Sequence, residues 1–324
     1  VPKLRNMITS KGGEIYFDSR LENLIISSGQ LVGLQVNGEQ ITTDTCILST
    51  GHSARDVYRL LSDRGVDLTP KSFAVGLRVE LSQDIVNRSQ WSTAYNHPRL
   101  GAASFRMTRK EDGTNRSCYT FCMCPGGIVI PCASGPNMFT TNGMSYSKRE
   151  APYANAAFLV PVTPDDYLSS IDETYPSLGG LIFQEKIEKK IFECGGGDYS
   201  IPVSSLSRFL DKDSSATVSS NRSYQKTRDT DITRILPDFI VSTLKNSIPA
   251  MLKPFKGINF DDVTLYAGET RSSSPVRVTR DENGESINTK GLYPCGEGSG
   301  YAGGIVSSAL DGIRIAEKIV SKLR

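Results

Sequence analysis

The sequence predicts an α/β protein in which a nucleotide-binding type of sheet is shared by the two ends of the chain. A mixed α+β segment is inserted between those ends. Two observations carry this prediction. Near the start, the apolar run 45–49 ends in Thr50-Gly51 and leads into a helical stretch; near the end, 292–295 runs into Gly296-Glu297-Gly298 and then the last helix. Between them, from about 72 to 266, the chain turns rich in Gly, Ser, Pro and Asn, and its apolar runs are short. A strand that ends in a glycine turn and continues as a helix brings backbone N–H groups to the carboxyl edge of a parallel sheet, where nucleotides bind. The expected domains are therefore 1–71 with 267–324, and 72–266 as the insert.

The elements follow in order. Residues 2–11 read as a short helix stopped by Gly12-Gly13, and 14–17 as a strand. Two β segments, 20–27 and 30–36, join at Ser28-Gly29, and Asn37-Gly38 is a hairpin signal. The run 45–49 suits a strand buried on both faces. Ser53 is an expected N-cap for a helix over 54–63 that Gly65 closes. In the middle, 73–81, 119–124, 127–131 and 156–162 read as strands. Residues 178–194 read as a helix ended by three glycines, 214–230 as a loop, and 235–248 as a helix bounded by Pro237 and Pro249. The last helix, about 304–323, is expected to bury Ile305, Val306, Ala309, Leu310, Ile313 and Ile319 on one face.

Composition narrows the function classes. The 324 residues carry a net charge of +2 without a block of like charges, which argues against nucleic acid as the main partner. No run approaches the ~18 apolar residues of a membrane span. The N-terminus has no apolar leader and no starting Met, so a cytoplasmic segment of a longer protein is expected. The seven cysteines do not space as a disulfide framework, in keeping with a reducing compartment.

Four constellations could carry chemistry. Gly296-Glu297-Gly298 with Ala302-Gly303-Gly304 and Ile305 offers a glycine turn, a carboxylate for sugar hydroxyls and a helix N-terminus for an anion or polarised carbonyl. Glycine needed only for close helix–sheet packing explains the same letters as well. Thr50-Gly51-His52, closing the run from Cys46, either approaches a nucleotide or is an ordinary strand-to-helix turn. Cys118, Cys122, Cys124 and Cys132 lack the paired spacing of a zinc site and the C-x-x-C of a redox dithiol, so no metal is expected. Residues 269–277 hold Arg271 and Arg277 with a glutamate and three serines, which suits a charged cleft or a solvated loop. With two histidines and no G-x-S-x-G, hydrolysis is disfavoured.

Six blocks in order carry a family resemblance: STGHSARD (49–56), FAVGLRVE (73–80), YTFCMCPGGIVIPCAS (119–134), TNGMSYSKR (141–149), ETRSSSPVRVTRD (269–281) and GLYPCGEGSGYAGGI (291–305). Through them the chain resembles the FAD-dependent dehydrogenases, NAD(P)/FAD-dependent oxidoreductases distantly related to glutathione-reductase-like flavoproteins. The resemblance implies a partial FAD/NAD(P)-binding Rossmann-like domain with an inserted mixed α+β substrate domain. It implies FAD as cofactor, NAD(P)H as electron donor and a small-molecule substrate. Thr50, Gly51, His52, Gly296, Glu297, Ala302, Gly303, Gly304 and Ile305 would be the cofactor contacts. Arg271, Arg277, Cys122 and Cys124 are the candidates on the substrate side. The chain departs from the family in three places. The N-terminal G-x-G-x-x-G that holds the FAD pyrophosphate is expected to have no counterpart in the chain, Leu81 replaces a usual His, and 221–230 match poorly. These departures leave a second expectation open, a non-catalytic piece that binds substrate but does not retain FAD. A third, a metal- or thiol-dependent binding protein, rests on the cysteines alone.

Overall fold

A computed structural model of the chain describes residues 2–114, 116–168, 175–213 and 215–323. It contains two compact units, Val1–Thr69 with Val276–Arg324, and Pro70–Pro275. Residues 267–275, expected with the terminal unit, belong to the central one, because the strand they continue is laddered into its sheet.

The terminal unit opens with helix α1 (Pro2–Ser10), none of whose residues is buried. Residues 14–17 form no strand; Tyr16 and Phe17 are exposed and the segment has no ladder partner. A three-stranded antiparallel meander follows, β1 (Leu21–Ser27), β2 (Gln30–Val36) and β3 (Glu39–Thr42). Its two turns, Ser28-Gly29 and Asn37-Gly38, have both central residues at positive φ, the twist that tight hairpins favour. Strand β4 (Cys46–Leu48) runs into helix α2 (Arg55–Asp63) and then β5 (Leu68–Pro70). The α2 N-cap is Ala54, without a side-chain cap, so Ser53 does not fill the role expected of it.

The central unit supplies β6 to β14. They are β6 (Phe73–Ser82), β7 (Thr108–Lys110), β8 (Ser117–Cys124), β9 (Gly127–Gly135), β10 (Met138–Ser145), β11 (Tyr153–Val162), β12 (Ile201–Ser205), β13 (Thr227–Asp229) and β14 (Thr264–Glu269). Seven of them form one sheet in the order β13-β12-β14-β6-β11-β8-β7, and β9 pairs with β10 as a separate hairpin. The helices are α3 (Gln83–Trp91), α4 (Gly179–Cys194), α5 (Leu206–Phe209) and α6 (Asp238–Leu252). Along β6, Phe73, Val75, Leu77, Val79 and Leu81 enter one core with Ile240, Leu244 and Ile248 of α6. The alternate positions Arg78 and Glu80 are also buried. Period-two alternation has therefore put a charged row on the other face of the central strand.

Two expectations for this unit change. Residues 227–229, expected as loop, pair in parallel with β12. Pro249 lies inside α6 rather than ending it. Only one helical hydrogen bond is forfeited there, and Ile248, Met251 and Leu252 around it are buried.

The chain returns to the terminal unit with β15 (Val276–Val278), β16 (Leu292–Pro294) and α7 (Ile305–Leu323). β15 pairs with β5, and β16 pairs in parallel with β4. Each parallel strand is followed by a glycine turn and a helix. The run 45–49 is not buried on both faces: Ile47 is 46% exposed. The buried stripe of α7 is likewise not the expected one. Of the expected residues only Ile319 packs inward, half-buried against Tyr293, Cys295 and Ile315. Ile305, Val306, Ala309, Leu310 and Ile313 are exposed, Ile305 by 91%, while Asp311 and Ile315 are buried. Periodicity identified an apolar stripe, but a second stripe, rotated from it, meets Tyr293 and Cys295.

Candidate functional site

The parallel register Leu292↔Cys46, Tyr293↔Ile47 and Pro294↔Leu48 brings the two glycine turns side by side. Their closest approach is between Gly51 and Gly298. A Cβ on Gly298 would lie 2.7 Å from the Gly51 carbonyl carbon and oxygen, so a side chain there would push the turns apart. From α2, the Tyr58 hydroxyl donates to the Gly298 carbonyl at 2.6 Å. The Ser299 hydroxyl donates to the Gly296 carbonyl at 2.8 Å. The turn is thus tied from three sides by the chain itself.

On this frame, His52 Nε2 stands 3.9 Å from Glu297 Oε1, and both side chains are partly accessible. Ala302, Gly303 and Gly304 lead into α7, where the Gly303 N–H donates to Ser307 Oγ at 3.3 Å. A Cβ on Gly51 or Gly303 would meet nothing within 4 Å. The surface beside those two glycines is therefore open space. Thr50, Gly51, His52, Gly296, Glu297, Ala302, Gly303, Gly304 and Ile305 all lie in this one unit, on the two turns and the start of α7.

One signal here was not used in reading the sequence. Gly298-Ser299-Gly300-Tyr301-Ala302-Gly303 spells G-x-G-x-x-G between β16 and α7. Its first two glycines are spent on protein packing. Gly298 abuts Gly51, and a Cβ on Gly300 would lie 2.8 Å from the Val276 carbonyl oxygen. Only Gly303 faces open space, so the letters do not make a pyrophosphate cradle.

The remaining candidates separate. Arg277 belongs to the terminal unit, exposed, with its guanidinium 5.0 Å from the Tyr301 ring centroid. Arg271, Cys122 and Cys124 belong to the central unit. Arg271 is held by the fully buried Glu188 of α4, through Nε at 2.8 Å and Nη2 at 2.9 Å, and donates to the Ser134 carbonyl at 3.1 Å. Its neighbour Thr270 donates to Glu188 at 2.8 Å. Arg78, buried and absent from the sequence-based candidates, organises the adjoining cluster. It pairs with Glu269 at 2.9 and 3.0 Å, and donates to the Cys122 carbonyl, Asn155 Oδ1 and Asn142 Oδ1.

Cys122 sits at φ 42 where β8 and β11 slip register, which breaks the alternation of the strand. Burial pushes the Cys124 thiol up, and the adjacent Arg78 only partly offsets it. Burial likewise raises Cys118, to about 12. These are thiols at rest rather than thiolates. Among the described residues no three His, Cys, Asp or Glu side chains are grouped to hold a metal ion, and no helix is long and apolar enough to cross a membrane.

Comparison with known proteins adds the family. An uncharacterized protein of Clostridium beijerinckii is 40% identical over 327 positions, covering 99% of this chain and 60% of that protein. The chain thus spans about 60% of the length of this curated relative. Among solved structures, CtdE in complex with FAD aligns at 10% identity over 97% of this chain and 57% of that chain, with a TM-score of 0.34. An oxidoreductase from Methanosarcina mazei aligns at 13% identity over 97% of this chain and 52% of that chain, with a TM-score of 0.36. Residues 72–272, most of the central unit and well over half of the chain, match the family described as FAD-dependent protein, C-terminal domain-like, and the chain belongs to that family.

Proposed function

We propose that the chain is part of an FAD-dependent oxidoreductase, with the paired glycine turns of the terminal unit as cofactor contacts and the central unit as the substrate domain. The observation that carries this reading is the apposition of Gly51 and Gly298, with open backbone at Gly51 and Gly303 and the His52–Glu297 pair beside it. In this reading Glu297 accepts hydrogen bonds from sugar hydroxyls. The N–H groups at Gly304 and Ile305 would offer the positive end of the α7 dipole to negative charge on a reduced flavin. The bound flavin supplies electron or hydride transfer, while the protein positions it and tunes its potential. Arg271, set by Glu188, and the Cys122–Cys124 turn, set by Arg78, provide polar groups for a small-molecule substrate; NAD(P)H is the proposed reductant.

A second reading, a substrate-binding piece that does not retain FAD, is favoured by one observation. The G-x-G-x-x-G letters at 298–303 are used for packing. The visible spectrum of a longer protein that contains this chain, before and after NADH or NADPH, tests the proposal. Flavin bands that bleach on reduction are expected. A colourless protein that takes up no flavin on titration would overturn it.

A further inference from the structure

The start of α7 and the turn before it are fastened by a charged pair outside the proposed cofactor contacts. Arg280 and Asp311 have side chains 13% and 10% exposed. They join through two bonds, Nη2 to Oδ1 at 2.6 Å and Nη1 to Oδ2 at 3.0 Å. Each member also holds backbone. The Gly296 N–H donates to Asp311 Oδ2 at 2.8 Å, and Arg280 Nη1 donates to the carbonyl of Pro294, the last residue of β16, at 2.8 Å.

The cluster extends in both directions. The Arg280 guanidinium lies 3.9 Å from the Tyr301 ring centroid, and the Arg280 N–H donates to the Tyr301 hydroxyl at 3.2 Å. The Cys295 N–H donates to the carbonyl of Leu48, the last residue of β4, at 2.9 Å. One carboxylate therefore connects the second turn of α7 with the Gly296 turn and, through Arg280, with the end of β16, which Cys295 ties to the end of β4. A fork-shaped guanidinium on a carboxylate fixes direction as well as distance.

We infer that Arg280 and Asp311 are positioning residues for the cofactor turns: the pair sets where Gly296–Gly298 and the α7 N-terminus sit relative to Gly51. The inference rests on the cofactor reading above for its purpose, and on the geometry alone for its action. Burial by itself raises the Asp311 carboxyl, but the Arg280 pair and the Gly296 N–H more than offset it and leave its pKa below the ordinary value. The carboxylate is accordingly charged and engaged at neutral pH.

The test uses the 324-residue chain, ¹⁵N-labelled, with two readouts: amide exchange without ligand and amide shifts during titration with FAD. In Asp311→Ala, exchange at Gly296 is expected to rise about tenfold or more, because a hydrogen bond to a charged acceptor is lost. Amides of β6 and β11 should keep their protection. Asp311→Asn, which retains an acceptor for Gly296 but not the charge for Arg280, should fall between, as should Arg280→Lys. In the second readout, FAD should shift the Gly51, Gly298 and Gly303 amides of the unsubstituted chain, and those shifts should weaken about tenfold or more in affinity in Asp311→Ala.

Unchanged exchange at Gly296 overturns the inference. So does faster exchange accompanied by unchanged FAD affinity, which would make the pair a stabilising contact only. If the unsubstituted chain shows no shifts at these amides up to millimolar FAD, the cofactor reading fails instead, and the exchange result alone decides whether the pair fixes the turns.

Discussion

At the scale of single residues, the central unit buries a few charged side chains, Arg78, Glu80, Glu188 and Glu269 among them, and these bear on its response to pH. Glu80 is buried on β6, accepting from the Ser223 N–H at 2.9 Å, the Tyr266 hydroxyl at 3.0 Å and the Ser223 hydroxyl. Burial raises its pKa, and those donors only partly offset the shift. A carboxyl raised on folding contributes stability that is full below its unfolded pKa, ~4.3 for a glutamate. That contribution is lost as pH rises through the folded value. The urea midpoint is therefore expected to be higher near pH 5 than near pH 8, and Glu80→Gln should flatten the difference. A slope unaltered by the substitution would assign it to another group. Arg271 gives a second residue-scale expectation. Removing it in Arg271→Ala leaves Glu188 charged and buried without its main partner, at a cost of ~3–5 kcal/mol in the central unit. Arg271→Ala with Glu188→Gln should recover part of that loss. A single Arg271→Ala that unfolds at the unsubstituted midpoint would make the pair a surface contact. Neither Glu188 nor Arg78 could be chosen from the sequence. A lone acid in an amphipathic stretch reads as a solvated face, and only the packing of α4 and the β9–β10 hairpin against the sheet turns these residues inward.

Among the elements, α7 separates what periodicity reveals from what it does not. The sequence identified the helix and its glycine-rich start, because a 19-residue apolar repeat after Gly303-Gly304 has few other readings. It misassigned the buried side, since the helix carries apolar residues on more than one face and a single repeat cannot say which meets the sheet. Stability measurements separate the faces. Ile315→Ala, on the stripe packed with Tyr293 and Cys295, should cost ~2–4 kcal/mol. Ile313→Ala, at a residue 55% exposed, should stay within ~0.5 kcal/mol. Equal losses at the two positions would mean that the helix is rotated from its place here. The same limit explains Pro249. A proline boundary is a sound local rule, yet the apolar neighbours buried on both sides of it in α6 outweigh one missing hydrogen bond. Tight hairpin turns were legible to the residue, because positive φ at Ser28-Gly29 and Asn37-Gly38 is a local demand that those residue types meet.

For the whole molecule, the glycine turns decide how much of a dinucleotide these 324 residues can hold. The pyrophosphate of a dinucleotide is ordinarily held by successive backbone N–H groups on a glycine turn that opens a helix. In this chain the turn with the matching letters has committed Gly298 to Gly51 and Gly300 to the backbone around Val276, which leaves the start of α7 near Gly303. The C. beijerinckii relative extends well beyond the aligned region, so a pyrophosphate cradle elsewhere in a longer protein is compatible with everything described for this chain. A charge-assisted hydrogen bond contributes ~1.5–3 kcal/mol, and ~1.4 kcal/mol is tenfold in affinity. The absence of even two such bonds therefore weakens binding by about a hundredfold or more. The expectation is that this chain purifies without flavin and binds added FAD weakly, at the Gly51 backbone, the Glu297 carboxylate and the start of α7, while a longer form binds it tightly. Flavin fluorescence during titration of both forms measures the difference directly. Equal, tight binding by the two would show that residues 298–303 do cradle the pyrophosphate, with Gly298 or Gly300 released from its packing to do so.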